Sequence, residues 1–496
     1  MTAPLPGAFP ALELLIVLPL AASLLAILLG GRLAPRIVLL LGPAMLVVTA
    51  VLAFQIQTQG PVRVEIGGWE APLGIALIGD GLAGVFLVLT AIVMTAVGVF
   101  AQKPFGSEGA ETTESYTFWP LYFAMWAALN AVFCGGDLFN LYVALELLTL
   151  TAVAMVAYGS TRAALRYLLF ALAGSLAYLM GIVLLYSATG TLDIELLARQ
   201  DTIEATRMVS GALMTAGLLA KTALFPLHGW LPPAHGSAPA PASALLSSLV
   251  IKASFVIIVR IWFDVMPDVA GTVFVQLLSI LGAGAVFYGS LLALRQTRLK
   301  MIIAYSTVAQ LGYLFFIFPL AGGAAAETPW AAGAWSGGMF HALAHGLAKA
   351  AMFLAAGLVI EALGHDRIDD IKGIARALPL TMFAFGLAAV SLMGLPPSGG
   401  FLAKYLMLTA ALADGQIGLA LVMLAGGLLA AAYLFRPVNR ALAGDYVPEV
   451  AVVTYWRQLI PLGLALLSVA LGIISEPPYD LLQVGRSKVA VEGIDD

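Results

Sequence analysis

Apolar residues along this chain come in long, nearly unbroken runs. They follow neither the three-and-four spacing of a surface helix nor the strict alternation of a half-buried strand. Leu168–Leu185 and Leu419–Leu434 contain hardly any polar side chain. A helix that crosses a bilayer needs about 20 apolar residues. Runs of that kind are read at 11–30, 36–55, 81–101, 118–135, 138–158, 163–188, 208–229, 240–263, 271–294, 299–320, 336–363, 379–411, 416–437 and 457–474. The pattern predicts an all-α polytopic membrane protein of about 14 spans. Two spans are interrupted. The seventh ends in Phe225-Pro226-Leu227-His228-Gly229, and the twelfth carries Gly394-Leu395-Pro396-Pro397-Ser398-Gly399-Gly400. Proline removes a backbone donor and breaks a helix, so Pro226, Pro396 and Pro397 mark helix breaks; the freed backbone groups must face protein or water.

The two breaks lie five spans apart. That predicts two repeated five-helix bundles, and an odd number of crossings per unit makes the repeats inverted. The expected organisation is an N-terminal three-helix segment (1–115), a first bundle (116–265), a second bundle (266–440) and a C-terminal helix and tail (441–496). Plain sequence similarity between the two units is not visible.

Composition agrees: the 496 residues are 61% hydrophobic and 10% charged, against about a quarter charged in soluble domains. A β-barrel would need alternate polar residues facing its lumen. A net charge of −4 gives no basic surface for nucleic acid. Cys134 is the sole cysteine, which excludes internal disulfides, cysteine-rich zinc sites and iron–sulfur ligation. No P-loop, GxGxxG, HExxH or GxSxG motif occurs, so no cofactor and no intrinsic catalytic chemistry is expected. The first apolar run lacks the basic start and small-residue cleavage site of a signal peptide and is read as a retained helix.

Loop lysines and arginines set orientation. With the N-terminus outside, fourteen fall inside: Arg32, Arg36, Lys103, Arg162, Arg166, Arg295, Arg298, Lys300, Arg367, Lys372, Arg376, Arg436, Arg440 and Arg457. Five fall outside: Arg63, Arg199, Arg207, Arg486 and Lys488. The expectation is a bacterial-type inner membrane protein with both termini outside.

Charges within spans carry the chemistry. Glu146, Lys221, Lys252, Lys349 and Lys404 lie well inside predicted helices. At about 2.5–3.5 kcal/mol each, the five would cost roughly 12–18 kcal/mol if they faced lipid. They must face partners or water. Glu146 is nine residues past Asp137, about 13 Å along its helix and hence mid-membrane; Asp137 itself suits a helix cap. Lys221 sits five residues before Pro226. Burial favours a neutral lysine and a neighbouring carboxylate favours the ammonium, so Glu146 and Lys221 together make a candidate proton site. A structural ion pair is the plainer reading of Glu146, and snorkelling to the interface that of Lys221. Lys252 is central in span 8. Arg260, two turns on beside Trp262, reads as snorkelling to the outer surface.

His228 and His235 flank Trp230-Leu231-Pro232-Pro233, where they suit either proton entry from the inner mouth or an ordinary interface. His341, His345 and Lys349 are spaced four and four on one helix face. Two histidines at that spacing can bind zinc, but a third ligand is missing, so a proton relay fits better. Lys404 lies just past the second break. Glu13 and Glu361 lie near helix ends and read as interfacial.

Four stretches then carry a resemblance: Gly-Asp-Leu-Phe-Asn-Leu-Tyr-Val-Ala-Leu-Glu (136–146), Leu-Leu-Ala-Lys-Thr-Ala-Leu-Phe-Pro-Leu-His-Gly-Trp-Leu-Pro-Pro-Ala-His (218–235), Arg-Leu-Lys-Met-Ile-Ile-Ala-Tyr-Ser-Thr-Val-Ala-Gln-Leu-Gly-Tyr (298–313) and Gly-Leu-Pro-Pro-Ser-Gly-Gly-Phe-Leu-Ala-Lys (394–404). In this order they resemble the proton-translocating antiporter-like subunits. That superfamily includes the D subunit of Mrp-type Na⁺/H⁺ antiporters and membrane-arm subunits of respiratory complex I. The Gly-Asp-Leu-Phe-Asn-Leu-Tyr-Val run and the length look most like the Mrp D subunit. The resemblance implies fourteen helices with inverted five-helix repeats. It also implies proton transfer by Glu146, Lys221, Lys252 and Lys404, with His341, His345 and Lys349 on the eleventh helix. Two functions follow: a subunit of a multisubunit Na⁺/H⁺ antiporter, or a pump subunit of a redox complex related to complex I or membrane-bound hydrogenases. Both imply partner subunits, H⁺ and, in the first, Na⁺; no carboxylate cluster marks a Na⁺ site in this chain.

Overall fold

Glycine and proline punctuate the apolar runs and end several helices, while Pro19, Pro35, Pro43 and Pro120 sit inside helices. The computed structural model describes residues 10–106, 112–200, 203–267, 271–444 and 449–486. Helix α1 (Ala11–Gln59) is two helices joined at Gly30, whose φ of 67° interrupts the ladder; glycine adopts this left-handed region without a steric penalty. A short hairpin follows, β1 (Val62–Glu65) antiparallel to β2 (Ala76–Gly79), with Arg63 opposite Ile78. The all-α reading passed over it because a four-residue alternation, Val62-Arg63-Val64-Glu65, is too short to stand out beside the membrane runs. Asp80 ends the hairpin and caps α2 (Gly81–Phe105), accepting from the Ala83 amide.

The chain continues through α3 (Thr113–Cys134), α4 (Leu138–Ala157) and α5 (Thr161–Thr189). The next span is broken into α6 (Glu204–Thr222) and α7 (Leu231–Ser237). Helix α8 (Ala240–Val265) contains π-helical turns at Leu246–Val250 and Arg260–Val265. Then come α9 (Thr272–Arg295), α10 (Leu299–Ala321) and α11 (Ala331–Leu363). The second broken span is α12 (Pro379–Met393) and α13 (Gly399–Ala413). Helices α14 (Ile417–Leu442), α15 (Tyr455–Ile473) and the short α16 (Glu476–Gln483) complete the described chain. By length and composition, twelve helices among the described residues suffice to cross a membrane. The expected fourteen are reached only when the two arms of α1 and the pair α12–α13 are each counted as crossings.

Burial sorts these helices into centre and rim. The most apolar window of α8 is wholly buried and that of α11 nearly so. In contrast, α1, α5, α9 and α14 expose Leu40, Leu169, Ile280 and Leu428. Such exposed apolar surface belongs against lipid, so the protein is a multi-pass membrane protein with α8 and α11 shielded inside it.

A backbone signature is written twice. At the start of α4, the Leu138 amide donates to Leu192 O (3.0 Å) and the Ile194 amide to Gly136 O (2.9 Å). At the start of α10, Leu299 N donates to Asp366 O (2.7 Å) and Ile368 N to Thr297 O (2.9 Å). Each bridge ties the entry of one helix to the exit of the next. The two breaks match as well. Ala223 (φ 59°) and Gly394 (φ 84°) are both left-handed. In each, the residue that follows donates to the carbonyl five positions back, Leu224 to Leu219 and Leu395 to Val390 (both 3.1 Å). The two broken-helix regions therefore repeat one backbone hydrogen-bonding pattern although their side chains differ.

Candidate functional site

Asp137 caps α4 by accepting from the Phe139 and Asn140 amides, both at 2.9 Å. Burial pushes its carboxyl up, while the two amide bonds pull it down and nearby Asp193 adds to the rise. Further along α4, Glu146 faces α6. There Lys221 donates to Glu146 at 2.7 Å and to Thr149 Oγ1 at 3.0 Å, and Ser175 of α5 also donates to Glu146. Lys221 is buried, and Glu146 keeps 22% of its side chain exposed. The lysine does not snorkel: α6 ends one residue later, and Trp230 fills the break by donating to Ala220 O at 2.9 Å while stacking on Tyr167.

In the second break Lys404 of α13 reaches back to the C-terminal end of α12. Its ammonium donates to Leu392 O at 2.8 Å and Met393 O at 3.3 Å, over the Tyr313 ring. The last carbonyls of a helix have no intrahelical partner, and Lys404 supplies one. Gln310 of α10 donates to the same Leu392 carbonyl at 3.1 Å.

Between the breaks lies a buried cluster on α8, α10 and α11. Lys252 donates to Ser247 O, which the adjoining π-turn places within its reach. The Ser247 hydroxyl meets Thr307 Oγ1 at 2.9 Å, and Thr307 donates to Ile303 O at 2.9 Å. Lys349 donates to that same carbonyl at 3.0 Å and to Ser306 Oγ. Lys252 and Lys349 thus lie at the two ends of a polar strip through Ser247, Thr307 and Ile303, although Lys252 bonds the Ser247 carbonyl and Thr307 the Ser247 hydroxyl. His345 lies within electrostatic reach of Lys252, Lys349, His341 and Lys404, and both its ring nitrogens are buried without a hydrogen-bond partner. His341 meets Gln310 O at 3.0 Å. The His341–His345 face therefore spans from the central lysines to the second break. Among the described residues no group of three potential metal ligands converges here.

His235, on α7, is fully buried against Phe353 and within reach of Lys300, Lys349 and Lys252. It belongs to the central cluster. His228 packs its ring on Phe225 and Tyr288, and no lysine is among the groups acting on it. No direct side-chain contact joins Lys221 to Lys252 among the described residues.

Sequence reasoning missed two groups. Lys300, counted as a loop charge, is buried and donates to Ala238 O beside α7. Its place in the first turn of α10 was the only signal. Arg260, read as snorkelling, is buried in an ion-pair cluster with Asp80 and Asp264. The hairpin supplies Asp80 from a loop 180 residues away, which no local pattern reveals. Glu361 likewise pairs with Lys103 at 2.7 Å and with buried Arg457.

The family described as NADH:quinone oxidoreductase/Mrp antiporter, TM matches residues 135–430. The chain belongs to this family. Among curated relatives, the N subunit of the NADH-quinone oxidoreductase of Desulforudis audaxviator is 38% identical over 389 residues, 77% of this chain and 75% of the relative. The D subunit of the Na(+)/H(+) antiporter of Alkalihalophilus pseudofirmus is 30% identical over 448 residues, 88% of this chain and 87% of the relative. Among solved structures, a chain of the membrane-bound sulfane sulfur reductase, an archaeal respiratory membrane complex, superposes with TM-score 0.84 at 27% identity, covering 95% of this chain and 96% of that one. A chain of the Mrp complex from Dietzia sp. superposes with TM-score 0.85 at 23% identity over the same shares, a likeness of fold. The matched family segment begins one residue after α3 and ends within α14, so it holds both breaks and the cluster between them.

Proposed function

We propose that this chain is a proton-translocating subunit of a multisubunit Na⁺/H⁺ antiporter in a bacterial-type inner membrane, with both termini outside. Residues 116–265 and 266–440 act as its two bundles. The observation that carries this reading is the Glu146–Lys221 pair at 2.7 Å, placed at a helix break. The closed pair holds a proton on Lys221. When the pair opens, burial opposes the remaining charge and the proton leaves. The proton must then cross a gap that no side-chain hydrogen bond spans among the described residues to reach Lys252; from there Lys349 and His345 relay charge toward His341 and Lys404, since protonating one site weakens the hold of its neighbour. The fold likeness to a chain of the Mrp complex and the 30% identity to the D subunit of an antiporter support this reading.

A second reading is favoured by the 38% identity to the N subunit of a quinone oxidoreductase: the same proton path, driven by electron transfer on partner chains. The experiment is to energise inverted membrane vesicles containing the complex and follow a pH-sensitive dye. Collapse of the gradient on adding Na⁺, lost when this chain is deleted, supports antiport. A Na⁺-insensitive gradient built by an electron donor, and lost with this chain, supports the redox reading. An effect of deletion on neither would refute both.

A further inference from the structure

Helix α5 presents a continuous outward face: Leu165, Leu169, Leu172, Leu176 and Met180 are all exposed. Spaced three and four apart, they form one lipid-facing stripe. At the N-terminal end of that stripe the same face carries Arg162 and Arg166, both exposed and four residues apart. Neither makes a hydrogen bond or an ion pair with a carboxylate among the described residues. Arg166 lies within electrostatic reach of the Tyr305 phenol. The contrast with Arg436 and Arg440 is direct. These too are four apart beside a surface groove, but their guanidiniums donate to Leu294, Gln296 and Asp369 carbonyls.

Arg162 and Arg166 line a groove of about 590 Å³ together with Ser160, Leu169, Phe170 and Ser237. The far wall is α7, the segment that carries His235. The groove is polar at its arginine end and runs into the leucine stripe. A free anion would use only the first part, and an acidic peptide would gain nothing from the second. A molecule with a phosphate head and long acyl chains uses both. Arginine matches a phosphate with two parallel N–H donors, and basic grooves between membrane helices take anionic headgroups.

We propose that this groove is a binding site for an anionic phospholipid, with its phosphate between Arg162 and Arg166 and its acyl chains along Leu165, Leu169 and Leu176. Ser160 and Ser237 line the same end, their hydroxyls already engaged with the Ala163 amide and the Pro233 carbonyl, so the two arginines carry the headgroup contact. A lipid seated there braces the broken helix from outside the bundle.

The test uses the full-length protein with the subunits it retains, in nanodiscs doped with photoactivatable phosphatidylglycerol or phosphatidylcholine. Phosphatidylglycerol should label peptides within 160–180 well above phosphatidylcholine. Arg162→Gln with Arg166→Gln should weaken that labelling roughly 30-fold, the factor for losing two arginine contacts at a membrane surface. Arg162→Lys with Arg166→Lys should retain most of it, which separates lost charge from a lost fold, and Arg295→Gln should leave it unchanged. Equal labelling by both lipids would mean ordinary bilayer contact and overturn the site. Competition by inorganic phosphate would assign it to a free anion, and no labelling at all would assign the groove to a partner subunit; either result overturns the proposal.

Discussion

Lys221 and Leu392 hold the same place in the two broken helices, each two residues before the left-handed residue that ends the first half. In the first bundle that position carries a side-chain cation facing Glu146. In the second it offers only a carbonyl, and Lys404 reaches it from the far side of the break. The repeated backbone therefore serves two different electrostatic designs. One is an ion pair between Lys221 and Glu146; the other is a lysine held by neutral acceptors.

The first design predicts a graded series. Lys221→Ala and Glu146→Ala should each reduce proton-coupled transport to near background while the protein still inserts. Glu146→Asp should keep a fraction, because the charge survives at a shorter reach. Dye-quench assays in vesicles at matched expression measure this. Wild-type transport in Lys221→Ala would remove the pair from the mechanism.

The breaks themselves respond differently to small changes. A methyl group on Gly394 would come within 2.7 Å of the Lys404 side chain, at a φ of +84°. A left-handed non-glycine residue also costs about 1–2 kcal/mol. Gly394→Ala should therefore lower transport several-fold by displacing Lys404. Ala223→Gly, which relaxes the equivalent strained position, should leave transport intact. The same dye assay compares them, and equal tolerance of both would show that Lys404 is not held by this geometry.

Much of this was legible in the chain. Apolar run length gave the helices, because a bilayer imposes one length on every span. Pro226 and Pro396-Pro397 gave the breaks, and the cost of charge in lipid singled out Glu146 and the four lysines. What stayed hidden depends on pairs distant in sequence. Lys300 looked like a loop charge because nothing local shows that α7 lies over it. Arg260 looked like a snorkelling residue because its partner Asp80 comes from a hairpin too short to read. His228 and His235 were indistinguishable by sequence; packing puts only His235 among the lysines.

Arg260 supports a stability prediction independent of transport. It is buried between Asp80, which it meets at 2.7 Å through Nη2, and Asp264 at 2.9 Å. Removing one member of a buried pair leaves the other charged and unsolvated, at a cost of about 3–5 kcal/mol. Arg260→Ala should lower the melting temperature of the detergent-solubilised protein markedly. Arg260→Ala combined with Asp80→Asn should recover part of the loss. An unchanged melting temperature in Arg260→Ala would show that the cluster is solvated.

Orientation is open to a direct check. Glu70 lies on the hairpin loop and Thr297 at the entry of α10, and both are exposed. Cys134 is buried, so Cys134→Ala removes the native thiol at little surface cost. In that background, an impermeant thiol reagent added outside should label Glu70→Cys and spare Thr297→Cys. The opposite pattern would reverse the proposed topology.

The last prediction asks whether the second bundle conducts. Lys404 is held by two carbonyls and the Tyr313 ring, with no carboxylate among its hydrogen-bond partners. Neutral acceptors stabilise an ammonium less than a carboxylate does, and under the proposed function this lysine is the one that releases the proton. His341 lies within electrostatic reach of Lys404, and Gln310 packs beside both, its backbone carbonyl on His341 and its side-chain amide on the same Leu392 carbonyl. If release is the role, Lys404→Ala should abolish transport. Lys404→Arg should abolish it too, since a guanidinium keeps its proton at any physiological pH. If Lys404 only caps the α12 carbonyls, arginine, with five donors, should serve nearly as well as lysine. Proton-coupled transport in vesicles, with insertion and expression matched, separates the two roles. Activity close to wild type in Lys404→Arg would end the proton-transfer assignment and leave a helix cap.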